Sequence, residues 1–380
     1  MKVPITKVEF DEAEVQAVAA VLRSGWIMQG PQVEAFEKAV AAYVGTREAV
    51  ATSSGTAALH LALVALGVGP GDEVVVPSLI FIASANVVLY CGATPIFVDV
   101  DPDTYNIDAA HVKGALTART KAIVPVDQLG LPADMGPILE LAAERGVTVV
   151  EDAACALGAT YRGARIGSLA PVSCFSFHPR KIITTGEGGM LTTDDLALAA
   201  RLRALRSHGA TRSTFDREKG GGTEIFADLG FNYRMTDVQA ALGVEQMKKL
   251  EALVLRRRTL AARYATAFAG IRGLRTPSVP AECTHIYQSY MVRVTGDAPR
   301  SRDDVLAALH AVGVGAKGSV QAIHREALYE GRFGKISLPA TELVAREGLI
   351  LPLFPSMADA EQEHVIEAVQ AALAPNQRAR

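Results

Sequence analysis

Lys181 is the residue of this sequence with the clearest chemical potential. It stands between the apolar runs 175–177 and 182–183, just before the glycine-rich segment 184–189. Partial desolvation lowers the pKa of a lysine and makes its amine nucleophilic. The segment therefore predicts an amine that attacks a carbonyl carbon, with an ordinary solvated lysine as the alternative.

A carboxylate ends another apolar run. Val149 and Val150 lead directly into Glu151 and Asp152, as at the end of a buried strand. Ligands of open α/β sheets bind beyond the carboxyl ends of the strands, so a carboxylate there is placed to hold a protonated ring nitrogen. A helix-capping aspartate explains the pattern at Asp152 equally well.

Small residues open a predicted helix near residue 55. The segment 53–57 reads Ser-Ser-Gly-Thr-Ala, follows a strand-like run and precedes the apolar stretch 59–66. Backbone N–H groups at a helix start are unpaired and the helix dipole favours negative charge, so such a turn predicts phosphate binding. A simple Ser or Thr cap without a ligand is the alternative.

Short Val- and Ile-rich runs alternate with helical periodicity around these motifs. The predicted strands are 73–76, 95–100, 122–126, 147–151, 173–177, 190–193 and 287–294. The predicted helices, after two amphipathic N-terminal stretches, are 83–89, 109–116, 135–145, 236–268, 302–312 and 361–373. Apolar runs between helices are typical of a parallel sheet buried on both faces. The pattern predicts the α/β fold class with right-handed crossovers.

The alternation changes after residue 250, which divides the chain into two expected domains. Residues 1–250, with the N-terminal helices, form a large domain around a mainly parallel sheet, and residues 251–380 form a smaller α+β domain. A patch of three glycines at 220–222 is predicted to be a mobile loop.

Composition excludes several classes of function. The 380 residues carry a formal net charge of -3, which gives no electrostatic attraction to nucleic acid or to an anionic membrane. No apolar run approaches the ~20 residues that span a bilayer, and the N-terminal residues lack the apolar core of a signal peptide. The four cysteines form no CxxC pair, so we expect neither a metal site nor a disulfide framework, and a cytoplasmic location.

Taken in order, these segments resemble the DegT/DnrJ/EryC1/StrS family of sugar aminotransferases over nearly the whole chain. The resemblance is carried by the segments 54–59, 69–74, 98–101, 151–154, Lys181 with 185–189, 230–237 and 351–355. It implies the fold of a fold-type-I transferase, pyridoxal 5′-phosphate as the cofactor and a transaminase activity.

The resemblance also implies a role for each cofactor residue. Lys181 carries the cofactor as a Schiff base, and Asp152 pairs with its pyridinium nitrogen. Phe81 stacks on the pyridine ring, with a core residue as the alternative. The phosphate contacts are Ser54, Gly55, Thr56, Ala57, the hydroxyl of Ser176 and, from a partner subunit, Asn232. The resemblance thus implies a homodimer with shared active sites.

Three residues, His178, Arg234 and His324, are expected on the substrate side. His324 alternatively belongs to an ordinary helix start, and Arg234 to a structural salt bridge. Two positions depart from the family. A His-x-Tyr-Gly run is replaced by Asp-Gln-Leu-Gly at 127–130, and Cys155 stands where Gln or His bonds the phenolic oxygen of the cofactor. A thiol is a weak hydrogen-bond partner, so this contact is weaker or another group supplies it.

The resemblance implies transfer of an amino group from glutamate or glutamine to a keto sugar, such as a nucleotide-linked 4-keto-6-deoxy sugar. Keto-inositols, aminohydroxybenzoate precursors and other cyclic ketones are alternative acceptors. A dehydratase of the same family would have histidine in place of Lys181. A cysteine desulfurase would need a mobile catalytic cysteine, for which Cys283 is the loop candidate. A regulator would bind the cofactor without turnover.

Overall fold

The computed structural model of the protein describes residues 1–211 and 225–374; the predicted glycine loop at 220–222 lies outside them. The strands of the described residues are β1 (Glu48–Thr52), β2 (Glu73–Pro77), β3 (Thr94–Val98), β4 (Thr120–Ile123), β5 (Thr148–Asp152), β6 (Thr160–Tyr161), β7 (Ala164–Arg165), β8 (Val172–Ser176), β9 (Gly189–Thr193), β10 (Leu274–Arg275), β11 (Cys283–Thr284), β12 (Tyr290–Val294), β13 (Lys317–Gly318) and β14 (Gly348–Leu351). The helices of the same residues are α1 (Glu12–Ser24), α2 (Pro31–Val44), α3 (Gly55–Ala65), α4 (Ala83–Tyr90), α5 (Ala109–Ala115), α6 (Met135–Arg145), α7 (Leu196–Leu205), α8 (Asp237–Phe268), α9 (Arg302–Ala311), α10 (Ala327–Phe333), α11 (Pro339–Glu347) and α12 (Asp359–Leu373).

A central sheet of seven strands has the order β1-β9-β8-β5-β4-β2-β3. The neighbours from β8 to β3 pair in parallel, whereas β9 is antiparallel to both β8 and β1. Parallel neighbours need a crossover connection, which helices such as α4 and α6 supply. The predicted α/β class with a mainly parallel sheet, as in fold-type-I transferases, is confirmed.

Both faces of this sheet are buried, as the Val- and Ile-rich runs predict. In β2, Val75 packs into one hydrophobic cluster, and Val74 and Val76 pack into another. The first cluster contains side chains of α2 and α6, and the second contains side chains of α3, α4 and α7. Because side chains alternate across a strand, the sequence of each strand decides which residues meet each layer of helices.

The carboxyl ends of the parallel strands meet at one edge of the sheet, where the predicted site residues lie. β1 ends just before Ser54, β2 ends shortly before Phe81, β5 ends at Asp152 and β8 ends at Ser176. β9 runs in the opposite direction, so its first residue, Gly189, lies at the same edge. The topology thus brings together residues that are far apart in the sequence.

A second sheet, in the order β10-β12-β14-β13, is antiparallel throughout and packs with α9 and α12 around its own apolar cluster. Helix α8 spans 32 residues and reaches both sheets. Its Leu250 and Val254 pack in a cluster of the large sheet, and its Leu260 and Tyr264 pack in the cluster of the small sheet. The expected domain boundary at residue 250 falls inside this helix.

The N-terminal residues return to the small sheet. Val3 forms a parallel bridge with Val314 and belongs to the same apolar cluster as α9 and α12. Helices α1 and α2 pack on the long helix α8. In the described part of the chain, no helix combines the length and the apolarity needed to cross a membrane.

Asp99 connects the end of β3 to the start of α11. Its carboxylate accepts hydrogen bonds from the N–H of Ala340 at 2.9 Å, the N–H of Thr341 at 2.6 Å and the hydroxyl of Thr341 at 2.7 Å. Burial by itself would raise the pKa of Asp99, but these hydrogen bonds outweigh burial and lower it. Folding therefore stabilises the ionised carboxylate.

We predict that Asp99→Asn lowers the free energy of unfolding by about 1–3 kcal/mol, because the amide accepts these bonds more weakly and buries an N–H group without an acceptor. Urea unfolding at neutral pH, followed by circular dichroism, measures the change. Glu144→Gln removes an exposed carboxylate of α6 and serves as the control, with a change below about 0.5 kcal/mol. Equal stability of the two variants would show that the hydrogen bonds of Asp99 to Ala340 and Thr341 do not stabilise the fold.

Candidate active site

Lys181 lies on the turn that follows β8. Its backbone N–H donates to the carbonyl of His178 at 2.8 Å, and its amine donates to Sγ of Cys155 at 3.1 Å. Strands β5 and β8 are parallel neighbours, so the residues that follow them meet above the sheet edge. The predicted lysine is therefore in direct contact with one of the two positions that depart from the family.

Asp152 ends β5 and is only 4% exposed. Its Oδ2 accepts from the hydroxyl of Ser84 at 2.6 Å, and its Oδ1 accepts from the N–H of Ala154 at 3.1 Å. Burial raises the pKa of this carboxyl, while Ser84, Ala154 and the positive charge of Lys181 act in the opposite direction. The site thus holds a buried carboxyl group that is suited to a cationic partner.

Sequence reasoning did not find Ser84. The available signal was its position in the first turn of α4, directly after β2, whose carboxyl end lies at the same edge as Asp152. A short hydroxyl in that turn is well placed to donate to a carboxylate on a neighbouring strand end.

Glu151, the residue before Asp152, is also a buried carboxyl group. Its Oε2 accepts from the hydroxyl of Ser173 at 2.5 Å and from the N–H of Gly167 at 3.2 Å. Burial raises its pKa to about 7, against these two hydrogen bonds. Through these two hydrogen bonds, Glu151 links β5 to Ser173 of β8 and to the turn at Gly167.

Asp127 is a third buried carboxyl group, and it belongs to the departing segment 127–130. Its Oδ1 accepts from the N–H of Ala133 at 2.9 Å, while Oδ2 has no partner among the described residues. Burial, followed by the charge of Glu151, raises the pKa of Asp127 well above its ordinary value. Asp127 therefore holds its proton more strongly than a solvated aspartate does.

Ser54, Gly55 and Ser176 form a tight contact at the start of α3. The hydroxyl of Ser54 accepts from the N–H of Ala57 at 3.1 Å and caps the helix. A Cβ on Gly55 would lie 2.8 Å from Cβ of Ser176, so the hydroxyl of Ser176 stands beside the first helical turn. The N–H groups of Gly55 and Thr56 have no intrahelical partner, and the helix dipole makes this turn an anion site.

The glycine-rich segment 184–189 ends in Gly189, a position where the structure leaves no room for a side chain. β9 begins there, and Gly189 pairs with Thr52 of β1 and with Ser176 of β8. A Cβ at this position would overlap the backbone carbonyl of Ser54. The absent side chain lets the turn after β1 lie against the start of β9, and the pairing of Gly189 with Ser176 brings Ser176 to the same place.

Phe81 is 61% exposed, which excludes the alternative that it is a core residue. Its carbonyl accepts from the N–H of Ser84 at 3.3 Å. The ring therefore lies one turn from the side chain that holds Asp152. An exposed flat ring at this edge offers a surface for stacking.

His178 and Arg234, two of the residues expected on the substrate side, lie near the surface. Nε2 of His178 lies 3.9 Å from the carboxylate of Glu187. Burial lowers the pKa of His178, and the charge of Glu187 opposes this effect. Arg234 donates to the hydroxyl of Ser207 at 3.1 Å.

His324, the third such residue, is 1% exposed. Its Nδ1 lies 2.7 Å from Oγ of Ser78, and its Nε2 lies 3.4 Å from Oε1 of Glu342. Both ring nitrogens therefore have partners within the chain. The ring connects the end of β2 to α11.

Asn232 has an exposed side chain. Its backbone pairs with Ser207, and the carbonyl of the next residue, Tyr233, accepts from the N–H of Ser53 at 2.8 Å. The segment thus passes beside the turn that leads into α3.

Cys283 does not suit the desulfurase alternative. It lies in β11, paired with Tyr161 of β6, and burial raises the pKa of its thiol to about 11. A catalytic cysteine acts as a thiolate. Across residues 1–211 and 225–374, no group of His, Cys, Asp and Glu side chains is arranged to hold a metal ion.

The groups at this edge match the chemical parts of pyridoxal phosphate, which the sequence resemblance implies. Lys181 offers an amine for the aldehyde and Asp152 a buried carboxylate for the ring nitrogen. The start of α3, with the hydroxyl of Ser176, offers an anion site for the phosphate, and Phe81 offers an exposed ring. Cys155 is the exception, because sulfur bonds a phenolic oxygen weakly.

Comparisons with known proteins agree with this arrangement. The sequence profile of the DegT/DnrJ/EryC1/StrS aminotransferase family matches residues 8–370. The chain is 42% identical over 363 residues to the spore coat polysaccharide biosynthesis protein SpsC of Bacillus subtilis (strain 168), covering 94% of this chain and 93% of that protein. It is 41% identical over 374 residues to GDP-perosamine synthase of Caulobacter vibrioides, covering 98% of both. The solved structure of the aminotransferase TlmJ from Streptoalloteichus hindustanus superposes with a TM-score of 0.91 at 38% identity, covering 98% of each chain.

We predict that Asp127→Asn gains stability relative to the natural chain as the pH rises above the unfolded pKa of about 3.9, by up to about 1.4 kcal/mol per pH unit. Because the pKa of Asp127 is raised in the folded chain, the folded chain holds this proton to a higher pH than the unfolded chain does. The natural chain therefore loses stability as the pH rises through this window, and the amide, which has no such proton, does not.

Urea unfolding of both proteins at several pH values measures this difference. Asp303→Asn, an exposed substitution, is the control, and its difference from the natural chain should not change with pH. A constant difference for Asp127→Asn as well would show that Asp127 is ionised in the folded chain.

Proposed function

Because this chain belongs to the DegT/DnrJ/EryC1/StrS aminotransferase family, we propose that it transfers an amino group from glutamate or glutamine to a nucleotide-linked 4-keto-6-deoxy sugar. The chain is a pyridoxal-phosphate-dependent transaminase and a sugar aminotransferase. The observation that carries the proposed acceptor is the 41% identity to GDP-perosamine synthase over 98% of both chains, since that protein is named for a GDP-linked product.

Bound pyridoxal phosphate supplies an electron sink, which lowers the barrier to removing a proton from the carbon that bears the nitrogen. Lys181 is the residue that moves this proton in our proposal. Its Nζ takes the proton as a base and returns it as an acid at the other end of the 1,3-shift. Sγ of Cys155, 3.1 Å from Nζ, orients the amine between these two positions.

Asp152 holds the proton on the ring nitrogen in this proposal. The hydroxyl of Ser84, at 2.6 Å, fixes the orientation of the carboxylate and favours its ionised form. A buried carboxylate is costly without a positive partner, and the ring nitrogen provides one. The carboxylate therefore keeps the ring protonated, which sustains its electron-withdrawing character.

The phosphate is held by the start of α3 in this proposal. The N–H groups of Gly55, Thr56 and Ala57 lie in the first turn, and the hydroxyl of Ser176 stands beside it. Ser54 shapes the turn as its cap.

We further propose that the amide of Asn232 reaches the phosphate from a partner subunit, so that a homodimer shares its two sites. The exposure of Asn232 supports this role. Phe81 stacks on the ring, and its exposure at the site edge supports that assignment.

His178 and Arg234 remain our proposed substrate contacts, because both are partly exposed. His178 lies on the turn that carries Lys181, and Arg234 follows Tyr233, whose carbonyl accepts from Ser53. His324 is assigned a different role. Both of its ring nitrogens are bonded to Ser78 and Glu342, so it positions the end of β2 rather than the substrate. We place the enzyme in the cytoplasm, a proposal supported by its four free cysteines.

We predict that Lys181→Ala loses turnover by about 10²–10⁴-fold or more, the usual contribution of a positioned acid and base. The absorbance of covalently bound cofactor should disappear as well, while the cofactor still binds through Asp152 and the start of α3. Borohydride reduction followed by peptide mass spectrometry should mark Lys181 in the natural chain. Lys113→Ala, an exposed lysine of α5, is the control. Undiminished turnover in Lys181→Ala would exclude Lys181 as the acid and base of the proton transfer.

The acceptor is tested with the pyridoxamine form of the protein. We predict that a nucleotide-linked 4-keto-6-deoxy sugar restores the pyridoxal absorbance with a kcat/KM at least about 100-fold above that of a keto-inositol, because polar contacts to the nucleotide discriminate strongly. The assay follows single-turnover absorbance across a panel of ketones. Reoxidation by a keto-inositol alone would refute the nucleotide sugar and support the alternative acceptor.

A further inference from the structure

The amine of Lys181 and the sulfur of Cys155 form a close pair, with Nζ 3.1 Å from Sγ. Both side chains are partly exposed, so a small molecule in solution has access to the pair. Groups that react efficiently in proteins are held with the reacting atoms about 3–3.5 Å apart. In place of the glutamine or histidine that the family resemblance implies, this chain thus has a thiol within bonding reach of its reactive amine.

The segment before β12 holds the backbones on both sides of this pair. Nε2 of Gln288 donates to the carbonyl of Arg180, the residue before Lys181. The backbone nitrogen of Gln288 packs on Gly130, where an added Cβ would lie 3.0 Å from that nitrogen and 3.0 Å from the carbonyl oxygen of Cys155. The turn of the sulfur and the turn of the amine are therefore fixed against one common segment.

The other three cysteines are less open to oxidation. Cys174 is 1% exposed, and burial raises the pKa of its thiol well above its ordinary value. Burial also raises the pKa of Cys91 and that of Cys283 to about 11 each. Oxidants attack a thiol through its thiolate, so burial slows the oxidation of these three. Cys155 is the cysteine whose thiol lies beside the proposed cofactor lysine.

We propose that Cys155 and Lys181 form a reversible covalent link, a sulfenamide bond between Sγ and Nζ, when the protein meets hydrogen peroxide. The peroxide first transfers one oxygen atom to Sγ, which gives a sulfenic acid and one water. The neutral amine then attacks Sγ, the S–O bond breaks, and the oxygen leaves with two protons as a second water. Sulfur loses two electrons in the whole reaction, and the O–O bond of the peroxide takes them up.

Thiols reverse the link in two steps. One thiol attacks Sγ and releases the amine of Lys181, and a second thiol attacks the mixed disulfide and restores Cys155. The two thiols leave as a disulfide, which accounts for the two electrons that return to sulfur. Because the link consumes the sulfenic acid, it prevents oxidation to sulfinic acid, which simple thiols do not reverse.

Proximity favours the amine over thiols in solution as the partner of the sulfenic acid. Groups held at reacting distance reach effective concentrations of about 10⁵ M or more. No thiol in solution approaches this concentration, although a thiol is the better nucleophile. The 3.1 Å contact therefore decides which bond forms first.

The state of Lys181 decides when the link can form. In the pyridoxal form, the proposed function attaches the cofactor to Nζ, so this nitrogen is not a free amine. The donor half-reaction leaves the cofactor as pyridoxamine phosphate and Lys181 unattached. This dependence rests on the proposed function, whereas the link itself rests on the contact between the two side chains.

The test treats the pyridoxamine and pyridoxal forms of the natural chain with hydrogen peroxide, which catalase then removes. Without a reducing agent, peptide mass spectrometry of the pyridoxamine form should find the peptides of Cys155 and Lys181 joined and lighter by two hydrogen atoms, about 2 Da, than their sum. The link should form at least about tenfold faster in this form than in the pyridoxal form, because only here is the amine free at reacting distance.

The absorbance of covalently bound cofactor gives a second readout. After peroxide, the keto acid of the donor should no longer restore this absorbance to the pyridoxamine form, because the nitrogen of Lys181 is occupied. Dithiothreitol should recover the response. Cys155→Ser should form no link and should respond to the keto acid as it did before peroxide.

Two further variants serve as controls. Cys283→Ser removes another partly exposed thiol and should form the link as the natural chain does. Lys181→Ala leaves the sulfenic acid without its partner, so dimedone should label Cys155 at least about tenfold more than in the natural pyridoxamine form.

Two results would overturn the proposal: an unmodified Cys155 after peroxide, or a Cys155 found only as sulfinic acid or as a disulfide with a thiol. A link that forms equally fast in both cofactor forms would uphold the proposal. That result would instead refute the attachment of the cofactor to Lys181, so the two failures are distinguishable.

Discussion

Burial of the Asp152 carboxylate at the end of β5 is the constraint on which the rest of the site depends. An ionised carboxylate removed from water is stable only when hydrogen bonds and a positive charge replace its hydration. Ser84 and Ala154 supply the hydrogen bonds, and Lys181 supplies a positive charge that acts on it. The parallel pairing of β5 with β8 brings Lys181 to this carboxylate, and the crossover from β2 through α4 brings Ser84. The order of the strands thus supplies the partners that the buried Asp152 carboxylate requires.

The parts of the fold that follow from local periodicity could be predicted from the sequence. The Val- and Ile-rich runs located the core strands within a few residues, and α8 was predicted from 236 and begins at Asp237. Features set by distant contacts could not be predicted. β12 begins at Tyr290 rather than at 287 because Tyr287 has a φ of 51°, which a strand does not use. Helix α7 and strand β14 were not predicted; β14 is a four-residue run, too short to be told from a helix end by periodicity.

The candidate site also contains residues that could be predicted from the sequence and residues that could not. Lys181 and Asp152 could be predicted because Asp152 ends an apolar run and Lys181 follows one, and the ends of such runs meet at one sheet edge in a parallel α/β fold. Ser84 carries no comparable local signal, since its importance comes from Asp152, which lies opposite it in space. The two departures, at Asp127 and Cys155, were visible in the sequence, but their effect was not. The structure places a fully buried carboxyl group with a raised pKa at Asp127, and it places the sulfur atom of Cys155, a weak hydrogen-bond partner, against the reactive amine.

The bridge between Val3 and Val314 affects how the chain is made as well as how it is held. Val3 leaves the ribosome long before residue 314 is synthesised, so the bridge between them cannot form until that later part of the chain has been translated. Helix α1 likewise cannot reach its packed position until α8, on which it packs, has been translated. Contacts of such long sequence separation close late and slow the completion of folding. The segment around Val3 is therefore among the last parts of the molecule to reach its folded position, although it is translated before the residues that it contacts.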